Sequence, residues 1–566
     1  MSEESKDALE SGQEDQNSDT TVAEAQNDPA IGRSKASITI IILALCMATF
    51  LAALDVAVVT TALPYIAEDL KASQTAYSWV GSAYLLTYAA FTPFWAKCSD
   101  IFGRKPLLLL ANVVFLIGSL ICALANSIGM LIAGRAVQGA GGGGLIILVN
   151  ITISDLFSIR ERGKYLGFIG MVWATASAIG PVIGGVLAEK VSWRWCFYIN
   201  LPSDGAAFLV LLFFLKVHNP RTNILQGLRA IDWLGSFVVV GATLMLLLGL
   251  QFGGIKFAWK SATVICLILF GVFVFAIFIL IEWKVAKYPV IPLRIFKKRS
   301  ALATLGVAST HGFAFVAAAY FLPYYFQEAL SETPIYSAVY FLPLALVLAL
   351  FSIVTGFFVK WTGHYLEPII GGMAFATLGF GLFINFSSHR SWPRIVIFQI
   401  IAAIGLGPNF QGPLIALQTS VSPSDIATGT ATFGFTRNLS SAISIVVGGV
   451  ILQNEMLKHV NDFRKAGIPQ HIINLVSGGS STAGSAISSQ LSETQNNLLH
   501  SAIADSLSKI WIFYTCMLGV GLLCSLGIGR TELSKKHEEH KTGLVTEEAN
   551  RLQNDNKEVD QEKADT

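Results

Sequence analysis

Long apolar segments separated by short polar ones make up most of this chain. Each apolar segment is close to the roughly 20 residues that a helix needs to cross about 30 Å of hydrocarbon. The segments lack the alternation of a β-strand, and backbone groups in hydrocarbon must bond within their own segment, so the pattern predicts membrane-spanning helices. The fourteen predicted spans are 38–60, 78–97, 106–125, 130–153, 164–187, 196–216, 233–252, 262–284, 301–326, 336–359, 366–386, 394–419, 428–451 and 510–529.

The spans divide into two groups of six with an inserted pair between them. We predict an N-terminal six-helix bundle at 38–216, a linker with two inserted helices at 217–300, and a C-terminal six-helix bundle at 301–529. A weak internal repeat supports this division. Gly103 after the second span lies seven residues beyond Ala96, and Gly363 after the tenth span lies seven residues beyond Gly356. The predicted fold class is an all-α membrane protein.

Polar segments lie at both ends of the chain and before the last span. Residues 1–37 are acidic and 530–566 are charged, and we expect both to be disordered because they have few large apolar side chains to bury. The long loop 452–509 is rich in Ser, Gly and Asn, and we predict no membrane-spanning element in it. Lys and Arg in the short loops number sixteen on the side of the termini and seven on the other, which predicts two cytoplasmic termini and an outer long loop.

Composition argues against several classes of protein. Apolar residues make up 53% of the chain and charged residues 13%, against about 25% charged residues in soluble domains. No basic stripe with interleaved aromatic residues is present, so nucleic acid is not an expected partner. The seven cysteines lack metal-ligand spacing, and we expect neither a metal site nor disulfides. The HExxH, GxSxG and Walker motifs are absent, so we expect no enzyme activity and no cofactor.

A glycine tract lies in the middle of the fourth predicted span. Residues 139–144 read GAGGGG and match the GxGxxG pattern of dinucleotide sites, which requires a preceding strand and a solvent-exposed helix start. Within a membrane span, the same residues let neighbouring helices approach closely. We therefore predict close helix packing here.

Two opposite charges lie deep inside predicted spans. Asp55 is in the first span and Arg135 is about five residues into the fourth, which places them at similar depths. A charge in the membrane is costly unless it pairs, faces a cavity or, for an acid, takes a proton. We predict that the two share a water-accessible chamber between the first and fourth helices. The alternatives are a carboxylate that only holds helices together and an arginine that extends to the headgroups.

A second polar cluster lies between the second and third spans, in TPFWAKCSDIFGRK. It contains Asp100, Gly103, Arg104 and Lys105. An acid and basic residues in so short a turn predict a latch that holds helix ends together at the cytoplasmic face, with Arg104 and Lys105 supplying the positive charge. The alternative is a solvated loop whose charges only set the topology.

The C-terminal half contains candidates for a substrate cavity. Aromatic faces suit flat or cationic ligands, amides supply hydrogen bonds, and an arginine in the middle of the thirteenth span should line a cavity, pair with an acid or bind an anionic group. The tyrosines are also compatible with an aromatic belt at the membrane interface. These candidates are Tyr320, Tyr324, Gln327, Asn409, Gln411 and Arg437.

Several of these segments together resemble a known family. The segments LDVAVVTTALP (54–64), AKCSDIFGRK (96–105), RAVQGAGGGG (135–144) and AIGPVIGG (178–185) resemble the signature set of the major facilitator superfamily. Two further segments, WRWCFYINLP (193–202) and FLPYYFQ (321–327), and the number of spans resemble the fourteen-helix drug:proton antiporters of fungi. The loop motif departs from the family, because Ala96 replaces a glycine and Ile101 a basic residue.

The resemblance implies a major facilitator fold and roles for particular residues. It implies that the latch locks the outward-open state and that Arg135 takes part in proton coupling. From its place inside the first span, we predict that Asp55 is the group that takes up the proton. In the fifth span, it implies an antiporter motif at Gly180, Pro181, Gly184 and Gly185.

The expected function is export of drugs, toxins or other small organic molecules by a proton-coupled antiporter with alternating access. Its expected partners are a small-molecule substrate, protons and the lipid bilayer, and we expect a monomer in the plasma membrane or the vacuolar membrane. Two alternatives remain open. One is a vacuolar transporter of basic amino acids, as in related fourteen-helix carriers, and the other is a membrane sensor that does not transport.

Overall fold

The computed structural model describes residues 35–71, 74–217, 222–254, 256–477 and 491–535, together with residues 220, 543 and 548. Most of these residues are helical. Fourteen long helices follow one another along this described part of the chain. They are α1 Lys35–Asp69, α2 Gln74–Phe102, α3 Arg104–Ala123, α4 Ile128–Leu156, α5 Ile159–Lys190, α6 Trp195–Phe214, α7 Trp233–Phe252, α8 Ala262–Lys284, α9 Arg299–Ala329, α10 Pro334–Thr362, α11 Leu366–Phe383, α12 Trp392–Ser420, α13 Ile426–Lys458 and α14 Glu493–Ser525.

Thirteen of these helices are long and apolar enough to cross a membrane. The remaining one, α2, has 29 residues, which is sufficient length, but its last turns are polar. Its Lys97, Ser99 and Asp100 are buried against protein, with exposed fractions of 4%, 0% and 1%. The polar end of α2 is therefore accommodated by neighbouring helices.

Several predicted boundaries are wrong because helices continue past the hydrocarbon. The predicted first span ended at 60, whereas α1 continues to Asp69. The predicted loop 452–509 is also largely helical in its described part. Helix α13 reaches Lys458 and α14 begins at Glu493, well before the predicted 510. Short helices lie between them at Val460–Lys465 and Gln470–Ser477.

The predicted tails fall mostly outside the described residues. For the N-terminal tail, residues 1–34 lie outside the description, and residues 35–37 already belong to α1. For the C-terminal tail, the structure describes 530–535, Gly543 and Glu548. The prediction that the two tails are disordered stays a prediction.

The helices form two six-helix bundles. In the first half, α3 and α2 pack against α4, and α1 packs against α5 and α6. In the second half, α11 packs against α12 and α14, and α9 against α13 and α14. The inserted helix α7 packs against α8 on one side and against α2 and α13 on the other. This arrangement confirms the predicted all-α architecture.

The halves meet chiefly along two pairs of helices, α5 with α10 and α2 with α13, with smaller contacts of α12 with α5 and of α13 with α4. Hydrogen bonds between the halves occur at the end of the molecule that carries the α2–α3 turn, here called the Gly103 end. Arg160 of α5 donates through Nε to the carbonyl oxygen of Lys360, at 2.8 Å, and through Nη2 to that of Trp361. These carbonyls belong to the last turn of α10, where helix geometry leaves acceptors free.

A glutamine makes a second connection between the halves at the same end. The Nε2 of Gln418 in α12 donates to Ser154 Oγ of α4 at 2.8 Å, and its Oε1 accepts from Arg162 of α5 at 3.2 Å. Gln418 is 3% exposed. The two bundles are therefore held together at the Gly103 end both by a partly exposed arginine, Arg160, and by a glutamine that is shielded from water.

The glycine tract of α4 lies where three helices approach closely. A Cβ atom on Gly141 would lie 2.4 Å from the backbone nitrogen of Phe115 in α3, and one on Gly139 would lie 2.3 Å from the carbonyl oxygen of Tyr84 in α2. These obstacles are backbone atoms, which move only if the helices separate. The tract therefore serves close packing, as its place in a membrane span predicts.

We predict that Gly141→Ala lowers the melting temperature of the purified protein, because overpacking typically costs about 1–3 kcal/mol. Gly129→Ala is the matched control on the same helix, since a Cβ atom there meets nothing within 4 Å. Thermal unfolding in detergent, followed by size-exclusion chromatography, measures both variants. Equal melting temperatures for the two would contradict the close approach of α3 and α4.

Candidate functional site

A buried ion pair joins α1 to α4. Arg135 donates through Nη1 to one carboxylate oxygen of Asp55, and each residue is 1% exposed. The other carboxylate oxygen accepts from Gln138 Nε2 at 2.7 Å and from Asn200 Nδ2 of α6 at 3.2 Å. The structure thus brings together the two charges that the sequence places at similar depths, and it adds two amides that compensate the lost hydration of the carboxylate.

The pair is closed off from water, which differs from the predicted water-accessible chamber. The guanidinium carbon of Arg135 lies 4.4 Å from the ring centre of Tyr84 and 5.8 Å from that of Phe197. Its Nε donates to the carbonyl oxygen of Val80 at 3.1 Å. The expectation fails in this conformation because aromatic rings of α2 and α6 cover the pair inside the first bundle.

Three polar residues of this network were missed in the sequence. Gln138 bridges the pair, because its Oε1 accepts from Arg135 at 2.7 Å while its Nε2 donates to Asp55 and to Ser119 Oγ. Asn200 also donates to Ser119, at 3.3 Å. The available signal was the helical spacing of Arg135 and Gln138, which puts the two side chains on one face of α4.

A second buried carboxyl group lies in the same bundle. Asp204 of α6 accepts one hydrogen bond, from Asn112 Nδ2 of α3 at 3.1 Å, and both residues are 0% exposed. The other carboxyl oxygen, Oδ2, has no hydrogen-bond partner among the described residues. The sequence analysis missed Asp204, although an acid inside the predicted span 196–216 was a visible signal.

The glycines of the predicted antiporter motif bring α5 against α1 just beyond Asp55. A Cβ atom on Gly180 would lie 2.4 Å from the Cβ of Ala57, and one on Gly184 would lie 2.2 Å from the carbonyl oxygen of Val58. Only hydrogen at these positions permits such an approach. Because the two helices are in direct contact here, a movement of α1 near Asp55 would displace α5 as well.

The other two residues of that motif behave differently. The carbonyl oxygen of Pro181 accepts from Thr61 Oγ1 of α1 at 2.9 Å, which adds a hydrogen bond to the same contact. A Cβ atom on Gly185 would meet nothing within 4 Å. Gly185 does not contribute to the packing of α5 on α1.

The predicted latch contains a buried arginine between two acids. Arg104, 1% exposed, donates through Nη1 to Asp100 Oδ1 at 2.6 Å and through Nε to Asp155 Oδ2 of α4 at 2.7 Å. Its Nη1 also donates to Ser99 Oγ at 2.7 Å. Gly103, with φ of 94°, makes the turn that places Arg104 here. The sequence analysis did not identify Asp155.

Lys105 does not contact the acids of this cluster. The prediction that it supplies positive charge to the cluster together with Arg104 is therefore wrong. Its Nζ donates to the carbonyl oxygen of Leu212 at 2.7 Å, near the end of α6. The last carbonyls of a helix lack partners and carry partial negative charge, which attracts a lysine as an acid would.

The C-terminal candidates do not form one cavity. Tyr320 is 48% exposed, and Tyr324 and Gln327 lie toward the end of α9 opposite the Gly103 end, where Gln327 donates to Ser337 Oγ at 3.2 Å. Tyr324 is about 14 Å along the helix from Phe315 at 1.5 Å per residue. The candidate tyrosines and Gln327 therefore lie well apart from the middle of the helix, and their role in a substrate cavity stays a prediction.

The two predicted residues of α12 are both buried, at 1% exposed for Asn409 and 7% for Gln411. Asn409 donates through Nδ2 to the carbonyl oxygen of Gly405 at 3.0 Å. That amide also lies against Gly372 of α11, where a Cβ atom would come within 2.4 Å of it. Asn409 thus faces the neighbouring helix of its own bundle.

Arg437 of α13 is surrounded by aromatic rings. Its guanidinium carbon lies 4.0 Å from the ring centre of Phe410 and 6.0 Å from that of Phe315, and its Nη1 donates to the carbonyl oxygen of Phe410 at 3.2 Å. The ring of Phe410 is also near Trp173 of α5, at 6.5 Å, and His311 of α9, at 5.9 Å. We call Trp173, His311, Phe315, Phe410 and Arg437 the central site.

The central site lies between the two halves and at mid-depth. Trp173 comes from the first bundle, and the other four residues come from the second. Arg437 is about 17 Å along α13 from Ile426, close to half of a bilayer of about 30 Å. The aromatic members were missed because Trp and Phe are frequent throughout the chain, although His311 inside an apolar span was a signal.

Among the described residues, no cluster of three or more His, Cys, Asp or Glu is placed to hold a metal ion, and the seven cysteines are free thiols. The chemistry that the described polar residues offer is ion pairing, proton binding at buried carboxyl groups and recognition of planar ligands.

We predict that Arg104→Gln destabilises the protein by about 3–5 kcal/mol, because removing one partner leaves Asp100 and Asp155 without their shared cation. The matched control is Arg229→Gln, which removes an exposed arginine from the short helix Ile224–Ala230. Melting temperatures in detergent measure both effects. An Arg104→Gln protein as stable as the control would show that the cluster contributes little.

Comparisons with known proteins agree with this architecture. A profile of the Major Facilitator Superfamily matches residues 45–445. The efflux pump dotC of Dothistroma septosporum (strain NZE10 / CBS 128990) is 52% identical over 513 residues, which cover 91% of this chain and 88% of the pump. The MFS-type transporter ppz2 of Metarhizium majus (strain ARSEF 297) is 46% identical, with 92% of this chain and 89% of the relative covered.

A solved structure shows the same fold at low sequence identity. The proton:xylose symporter XylE, bound to 6-bromo-6-deoxy-D-glucose, superposes with a TM-score of 0.54 at 15% identity. The match covers 88% of this chain and 98% of the symporter chain. Together with the two bundles and the inserted pair, these matches show that this chain is a multi-pass membrane protein that belongs to the Major Facilitator Superfamily.

Proposed function

We propose that this protein is a proton-coupled antiporter that exports small organic molecules. The observation that carries the proposal is the buried pair of Asp55 and Arg135. A carboxylate kept in the membrane beside a cation is the kind of group that can exchange its charge for a proton. The relative dotC is named as an efflux pump, which favours export as the direction of transport.

In this proposal, protonation of Asp55 changes how α1 is held. A neutral carboxyl group no longer attracts Arg135, which keeps its bonds to Gln138 Oε1 and to the carbonyl oxygen of Val80. The contact between α1 and α4 therefore weakens. Because Gly180 and Gly184 bring α5 against α1, the change reaches the helix that packs against α10 of the other half.

The described hydrogen bonds between the halves support an outward-facing state. They include those of Arg160 and Gln418 at the Gly103 end, which the distribution of basic residues assigns to the cytoplasm. We propose that this conformation opens to the opposite side and that the cluster around Arg104 stabilises its closed cytoplasmic end. Proton binding from outside then accompanies the return to the inward-facing state.

Of the two alternatives, neither gains support from the site. Import of basic amino acids into the vacuole requires a site for a cationic substrate, whereas the charged residue of the central site, Arg437, is itself a cation. The relatives are named as a pump and a transporter, which favours transport over sensing. The plasma membrane and the vacuolar membrane both remain compatible with the proposal.

We predict that Asp55→Asn abolishes transport driven by a pH gradient, because the amide cannot bind and release a proton. Arg135 loses its carboxylate partner, so the variant should melt at a lower temperature, although its bonds to Gln138 and Val80 and its contact with Tyr84 remain. Size-exclusion chromatography checks that the variant is folded before transport is measured. The measurement uses purified protein in liposomes with an imposed pH gradient and a panel of a lipophilic cation dye, an aromatic carboxylate and labelled lysine and arginine. Unchanged gradient-driven transport in the variant would refute the role of Asp55.

Asp69→Asn is the control on the same helix. Hydrogen bonds from Trp193 and from Arg194 hold the pKa of the Asp69 carboxyl below its usual value, so it stays ionised at the pH of the assay. Since Asp69 lies beyond the apolar part of α1, its loss should leave gradient-driven transport intact.

The same assay also tests the basic amino acid alternative. Selective accumulation of labelled lysine or arginine by wild-type protein would support a basic amino acid carrier.

A further inference from the structure

The charge of Arg437 is not neutralised by any carboxylate of the part of the chain that the structure describes. Arg104 and Arg135 each form an ion pair with a buried carboxylate, whereas Arg437 makes no ion pair with any residue that the structure describes. A guanidinium has five N–H donors, and a single hydrogen bond to protein is described for Arg437. The side chain is half-buried, so part of it still faces open space.

A lone cation in the middle of a membrane protein is costly to keep. The face of Phe410 compensates part of this cost through a cation–π contact, but an aromatic ring supplies no acceptor for the remaining N–H groups. An anionic group that enters the site would satisfy these donors, and a planar carboxylate matches the fork of a guanidinium. The arrangement therefore favours an anion over a cation.

The shape of the surroundings adds a second requirement. The rings of Phe315 and Phe410 are 5.4 Å apart at an interplanar angle of 82°, and Trp173 approaches Phe410 from the other half. Rings in different orientations bind a flat aromatic ligand most strongly, because the ligand can stack on one ring and contact another edge to face. Because the walls belong to both halves, a bound ligand would contact each bundle.

We propose that the central site binds planar aromatic anions, with Arg437 pairing with a carboxylate or an ionised phenol of the ligand. The proposal rests on the proposed transport function only where it names the exported substrate class. The binding site itself is defined by the geometry of Trp173, Phe315, Phe410 and Arg437. The cation that attracts an aromatic acid also repels lysine and arginine.

The test is equilibrium binding without any gradient, using three probes that share one ring system. These are 9-anthracenecarboxylate, 9-anthracenemethanol and 9-(aminomethyl)anthracene, added to detergent-purified wild-type protein at neutral pH. Quenching of tryptophan fluorescence reports binding. The carboxylate should bind about tenfold to a hundredfold more tightly than the alcohol, the range for a charge-assisted hydrogen bond, and the ammonium should bind most weakly.

Variants then assign this preference to one residue. Arg437→Gln should reduce the affinity for the carboxylate to that for the alcohol and leave the affinity for the alcohol unchanged. Arg437→Lys should give a carboxylate affinity between those of the wild-type protein and Arg437→Gln. The matched control is Arg394→Gln, which removes an exposed arginine at the start of α12, away from the central site. Size-exclusion profiles and melting curves check that each variant is folded, and the wild-type comparison needs no variant.

Two results would overturn the inference. One is equal binding of the three probes by wild-type protein, and the other is an equal loss of carboxylate affinity in Arg394→Gln and Arg437→Gln. Because the assay has no proton gradient, failure of the Asp55 experiment leaves this inference standing. Conversely, gradient-driven export of neutral compounds without any carboxylate preference would preserve the proposed antiporter and remove the anion site.

Discussion

The architecture of the first bundle depends on keeping two opposite charges together out of water. A carboxylate and a guanidinium in a dry interior lose hydration that their attraction recovers only with good geometry and additional hydrogen bonds. Here Gln138 and Asn200 supply those bonds to Asp55. The requirement fixes the relative rotation of α1, α4 and α6, since each must present its polar side chain to the same point.

The two bundles solve the problem of membrane charge in different ways. In the first, the arginines Arg104 and Arg135 are each covered and paired with acids, and Asp204 accepts a hydrogen bond from an amide. In the second, Arg437 lies among aromatic rings without an acid among the residues described. The two bundles thus differ in what compensates a buried arginine, which is a carboxylate in the first and the face of an aromatic ring in the second.

The sequence predicts much of this fold and only part of its sites. Spans are visible because each is a long run of apolar residues, and Asp55 and Arg135 are visible because charges interrupt such runs. Gln138 and Asn200 were missed because an uncharged amide costs less free energy in a membrane span than a charge does. Amides therefore do not stand out in the sequence of a span. Lys105 was misplaced because its acceptor, the carbonyl of Leu212, is a backbone atom that side-chain identity cannot reveal. Helix ends such as that at Glu493 consist of polar residues, so hydropathy cannot show where the helix begins.

The connection at the end of α10 has a consequence for mutational tolerance. Arg160 recognises the main-chain oxygens of residues 360 and 361, and every amino acid offers such an oxygen. Replacement of Lys360 or Trp361 therefore preserves the acceptors of Arg160, whereas replacement of Arg160 removes both donors at once. Replacement of Lys360 would remove only its separate ion pair with Glu161 of α5, at 3.4 Å. This contact is encoded asymmetrically, by one residue of the first half and by the path of the backbone in the second. The other connection described above differs, because it depends on the side chain of Gln418 in the second half. Sequence drift on the α10 side is thus compatible with an unchanged contact.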